Sequence, residues 1–99
     1  MTQDSQFEMG SGNVFEDLGL PDSKELFIKS SIAIAIHREI KSRGLKQVEA
    51  AQLMGIPQSN VSKILRGQLE KFTIDRLIRL MNRLDLDVEF SIVSKAAAS

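Results

Sequence analysis

The chain has no cysteine, so it can build neither a disulfide framework nor a thiolate metal site. No apolar run approaches the roughly 20 residues needed to span a bilayer. The opening stretch MTQDSQFEMGSG has neither a basic start nor an apolar core, which argues against a secretory signal. A reducing cytoplasm fits these absences. Histidine occurs once, at His37, with no second His or Cys at ligand spacing, so no metal site is expected. A phosphate-cradling glycine loop and a nucleophile–base pair are also missing. Asp22/Glu25 and Asp85/Asp87/Glu89 read as cap and turn charges. Neither an enzyme nor a bound cofactor is expected.

Basic residues are unevenly placed. Residues 1–22 have none, and Asp4, Glu8, Glu16, Asp17 and Asp22 give that segment a charge of −5. Residues 23–83 hold twelve of the thirteen basic residues against five acidic ones, a balance of +7. Residues 84–99 return to −2, so the net charge of zero hides a basic body between two acidic ends. That body is the electrostatic footprint of a phosphate binder, although solvated helix faces also give such surpluses.

Ninety-nine residues of ordinary apolar content support one domain with one modest core. Residues 1–12 read as a flexible acidic tail, 13–93 as the domain, and 94–99 as a second flexible tail. NVFEDLGL (13–20) offers enough apolar side chains to dock as an arm. Asp22 and Glu25 suggest a capping box opening a long helix that Gly44 stops near Arg43. Ile28, Ile32, Ala35, Ile36 and Ile40 share one stripe, whereas Phe27 and Ile34 lie elsewhere and suggest cover on two sides. Ser30-Ser31 is a place where this helix could bend. A second helix is expected from Lys46 or Gln47 to Met54, and a third from Pro57 or Gln58 to Arg66. A fourth follows from Ile74 to about Leu84, capped by Thr73. Its Ile74, Leu77, Ile78 and Met81 face inward, and Arg76, Arg79 and Arg83 outward. Leu86 to Ile92 alternates apolar and polar residues with period two, a strand signal.

The stretch QVEAAQLMGIPQSNVSKILRG (47–67) carries the function. Ala50 and Met54 give its first helix an inner face, and Ala51 is small where the second helix crosses. Gly55 permits the positive φ of a sharp turn, and Ile56 plugs that turn. Val61, Ile64 and Leu65 return the second helix to the core and leave most of its circumference uncommitted. This is helix-turn-helix spacing, in which the second helix enters the major groove.

Gln47, Ala51, Gly55-Ile56, Val61-Ser62, Ile64 and Gly67 resemble the pattern of the Cro/cI-like (XRE) helix-turn-helix regulators. The wider frame, roughly 13–93, resembles a branch of small XRE proteins often encoded beside toxin genes, like the HigA-type antitoxins. Pro57 departs from the pattern, since many relatives carry a Ser or Thr cap there; proline suits the first turn of a helix. The resemblance implies an all-α, lambda-repressor-like DNA-binding domain of four to five helices with one C-terminal β-strand. It assigns Gln58, Ser59, Asn60, Ser62 and Lys63 to base reading, with Asn60 also able to bond a phosphate, and Gln47 to phosphate. Chemistry adds Lys46, Arg66 and Lys71 as phosphate contacts.

A lone strand leaves its backbone groups unpaired, and Val88, Phe90 and Ile92 would face water. It can pair with the arm around Val14-Phe15 or with the same strand of a second subunit. The second solution gives a homodimer able to read a pseudo-palindromic operator with half-sites about 34 Å apart. The expected function is a sequence-specific, autoregulatory repressor, with a toxin protein as an implied further partner. The competing expectation is a protein-interaction module that neutralises a partner without binding DNA.

Overall fold

The computed structural model describes residues 22–94. The acidic tail 1–12, the arm 13–20 and the tail residues 95–99 lie outside the described residues, as does any pairing of the C-terminal segment with the arm. Four helices follow one another among the described residues: α1 (Asp22–Arg43), α2 (Gln47–Met54), α3 (Gln58–Leu65) and α4 (Ile74–Asn82).

α1 runs unbroken through Ser30-Ser31, and the Ser31 hydroxyl donates to the Phe27 carbonyl one turn earlier at 2.9 Å. Asp22 already belongs to this helix, and Glu25 pairs with Lys29 at 3.0 Å. Ile32, Ile36 and Ile40 are buried and Ile28 and Ala35 are half-buried, so the apolar stripe is the packed one. Ala33 and the stem of Lys29 join it. Phe27 and Ile34 are exposed, by 71% and 52%, so the described residues cover α1 on one side.

α4 packs along α1, and α3 sits in the angle between α1 and α2. The core where they meet contains Ile36, Val61, Ile64, Leu77, Ile78 and Leu84, all essentially inaccessible to water. Met54 and Met81 are buried with them. The connection between α3 and α4 is more than a linker, since Leu69 and Phe72 are both buried. Arg76 stacks over the Phe72 ring at 5.2 Å, partly shielding its rim. Thr73 caps α4 by accepting a bond from the Arg76 amide at 3.1 Å.

All four helices stop in the same way. Leu45 donates its amide to the Ile40 carbonyl, Ile56 to Ala51, Gln68 to Lys63 and Leu86 to Met81, each reaching back across a residue of positive φ. These are Schellman-type closures, which satisfy carbonyls left over at a helix end. Glycine supplies the positive φ at the first three ends, and Asp85 (φ 63°) at the fourth.

The expected C-terminal strand does not form among the described residues. Its alternation is nonetheless present in burial: Leu86, Val88 and Phe90 are half-buried, whereas Asp87, Glu89, Ser91 and Ile92 are exposed. Leu86 and Val88 pack on the core, whose surface here is helical. Helices spend their backbone groups internally and offer no edge for a ladder. Period two therefore reports which side chains face the body, without a strand partner in the same described chain.

Candidate nucleic-acid interface

The recognition unit is α2, the turn 55–57 and α3. Gly55 closes α2 with φ 72°, and its amide donates to the Ala51 carbonyl at 2.8 Å. Ile56 is half-buried against the core and fixes the chain's direction through the turn. Pro57 then precedes α3 as its N-cap in extended conformation, one position earlier than the first-turn place expected for it. Proline carries no side-chain acceptor, so no side chain caps the front of α3.

α3 has eight residues, of which Val61 and Ile64 are buried and Leu65 half-buried. At about 100° per residue, Gln58, Ser62, Arg66, Ser59 and Lys63 fall on one contiguous arc of roughly 140°, opposite the buried pair. Gln58, Ser59, Lys63 and Arg66 are exposed, and Ser62 is half-buried. Asn60 is half-buried at the border of this arc, closer to the packed side than the other expected base readers. Arg66, expected at the phosphates, lies on the arc itself. Its Nε and Nη2 both donate to the Ser62 hydroxyl oxygen, at 3.2 and 2.9 Å. Sequence reasoning missed this pairing, although a serine four residues before an arginine on one helix is its signal.

Lys46 and Gln47 stand exposed at the front of α2. The Lys46 amide donates to the Glu49 carboxylate at 2.7 Å, which forms half of a capping box. The lysine side chain, a donor only, cannot supply the other half, so its ammonium stays available to an anion. Lys71 is exposed in the α3–α4 connection. Residues 50–69 contain no Asp or Glu, so no negative side chain interrupts the turn or α3.

The back of the turn is braced from α4. Arg83 Nε donates to the Leu53 carbonyl at 3.0 Å, near the end of α2. The same guanidinium covers Gly55, where an added Cβ would meet Arg83 Nη2 at 3.3 Å. A second arginine, Arg43, ties α1 to the residues after α4. It bonds Glu39 at 2.7 Å and the Leu84 carbonyl, and lies 3.8 Å from Asp85. Neither long-range bond was legible in the sequence.

Among the described residues no helix is long and apolar enough to cross a membrane, and no cluster of His, Asp or Glu is arranged to hold a metal ion.

A family model described as a helix-turn-helix domain matches residues 14–93. No curated protein matches the chain. A solved structure provisionally named as an XRE family transcriptional regulator superposes with a TM-score of 0.73 and 38% sequence identity. The match covers 80% of this chain and 89% of that one. With the turn, the sparse second helix and this likeness in agreement, the chain belongs to the XRE family of helix-turn-helix proteins.

Proposed function

We propose that the protein is a dimeric, sequence-specific DNA-binding transcriptional regulator that represses its own promoter. The observation that carries this reading is the outer arc of α3, a polar and cationic face without a carboxylate on a helix anchored by so few buried residues. A face of that kind meets phosphates and base edges at low desolvation cost. Gln58, Ser59 and Lys63 read bases from the front of α3, with Asn60 at the border of the set. Lys46, Gln47 and Lys71 hold phosphates on either side and fix the register. Membership of the XRE family and the name of the similar structure support the regulatory role.

One recognition helix reads few base pairs, and a two-fold dimer doubles the site. Val88, Phe90 and Ile92 lie on the segment that would join two subunits, since pairing two such segments would form a ladder between them. The branch resemblance extends the reading to an antitoxin whose further partner is a toxin protein. The exposed apolar face of α1, with Leu26, Phe27 and Ile34, favours a second reading as a protein-interaction module. The two readings part on DNA binding.

The test is fluorescence anisotropy on DNA from upstream of the protein's own gene against scrambled DNA, across a salt series. Wild type is compared with Gln58→Ala and Lys63→Ala. Binding of order 10⁻⁸ M or tighter on the native site, weakened by both substitutions more there than on scrambled DNA, supports the autoregulatory repressor. Equal, steeply salt-dependent binding to both DNAs would replace it with a backbone binder. Absence of binding to either at low salt would put the interaction module first.

A further inference from the structure

The pairing of Ser62 with Arg66 has a geometry that ordinary phosphate binding does not need. Side chains on a helix lean toward its N-terminus, so the Arg66 guanidinium lies back over the turn that carries Ser62. Serine takes the Nε and Nη2 protons on one edge of the fork. Arginine has five such donors, so the Nη1/Nη2 end remains, with two parallel N–H groups not used by Ser62. That end matches the O6 and N7 acceptors of guanine in the major groove. A phosphate can also be held by a point charge such as a lysine ammonium, whereas bidentate reading of a base edge needs the planar fork. Holding the planar group in one orientation is useful to a base reader, because it is ordered before binding. No carboxylate in 50–69 competes for the fork.

We propose that Ser62 and Arg66 form one guanine-reading unit. Arg66 donates from its Nη1/Nη2 end to guanine O6 and N7, and Ser62 is the positioning residue that orients it, reading no base itself. This rests on the DNA-binding reading above and reassigns both residues within it.

The experiment starts from DNA that the full-length wild type selects out of a random-sequence pool. Each base pair of the selected site is then replaced singly. Affinities are measured for wild type, Arg66→Lys and Ser62→Ala, with circular dichroism and thermal melting to verify folding. The expected result is one G·C pair per half-site whose replacement weakens wild-type binding about tenfold or more. Arg66→Lys, which keeps the charge and loses the fork, binds the intact site about tenfold more weakly and no longer distinguishes that pair. Ser62→Ala loses part of the same discrimination at that pair and at no other. Arg66→Lys with the guanine preference intact, whether affinity is unchanged or falls evenly on all sequences, would mean a phosphate contact and overturn the proposal. Loss of discrimination at a different pair in Ser62→Ala would overturn the positioning role. A wild type that selects no sequence overturns this inference together with the repressor reading, so the two failures are distinguishable.

Discussion

Arg83 donates from Nε to the Leu53 carbonyl across a separation of thirty residues, so the last helix braces the end of α2. Removing that brace costs little of the core but loosens the turn that sets the angle of α3. Arg83→Ala is expected to lower stability by about 1 kcal/mol, the usual net worth of such a bond. The melting temperature should fall by about 4–8 °C for a domain of this size. Arg83→Lys restores a donor without the fork and should recover only part of the loss. An unchanged melting temperature in the alanine variant would mean that water serves the Leu53 carbonyl equally well.

Gly55 meets two demands at once. Its φ of 72° costs an L-residue about 1–2 kcal/mol, and its missing Cβ leaves room for Arg83 at 3.3 Å. Gly55→Ala is therefore expected to destabilise more than Gly44→Ala, where nothing lies within 4 Å of an added Cβ. Chemical denaturation of the two variants side by side gives the comparison. Equal losses would show that the Arg83 side chain moves away freely.

Asp85 occupies a position that glycine fills at the other three helix ends, with φ 63°. Its carboxylate lies 3.8 Å from Arg43 but is 90% exposed, so that pair contributes little. Asp85→Gly should stabilise the protein by about 0.5–1 kcal/mol by relieving the left-handed strain. A thermal melt reads this as a rise of a few degrees. A fall would give the Arg43–Asp85 pair more weight than its exposure implies.

Thr73 caps the front of α4 through its hydroxyl. Thr73→Ala should cost about 1 kcal/mol, whereas Thr73→Ser, which keeps the capping oxygen, should leave the cap intact. Denaturant midpoints for the pair decide this. Equal losses in both would trace the effect to the threonine methyl group rather than to the hydroxyl.

What the sequence discloses is mostly local. The spacing of Ala50, Met54, Gly55, Val61 and Ile64 specifies two short helices and a turn, because each depends on neighbours within about four residues. The inward set Ile74, Leu77, Ile78 and Met81 is buried as its periodicity requires. Burial of Leu69 and Phe72 was not legible, because the connection between α3 and α4 has no period to read. The alternation of Leu86, Val88 and Phe90 shows which side chains turn inward, but it cannot say whether a second backbone is available. Arg83 and Arg43 reach partners thirty and forty-one residues away, distances at which local pattern carries no information. At the recognition face, exposure was readable from the sparse apolar skeleton. The bond between Ser62 and Arg66 was signalled only by their spacing of four residues, and a rotamer decides whether it forms.

The shared closure of the four helix ends bears on the entropy of recognition. The amides of Leu45, Ile56, Gln68 and Leu86 are tied back to their own helices, so the connections begin as extensions of rigid elements. Local opening then has few places to start, and the backbone around the turn arrives at a ligand already ordered. The ordering cost of association falls mainly on the side chains of α3, whose freedom can be adjusted residue by residue without disturbing the frame that presents them.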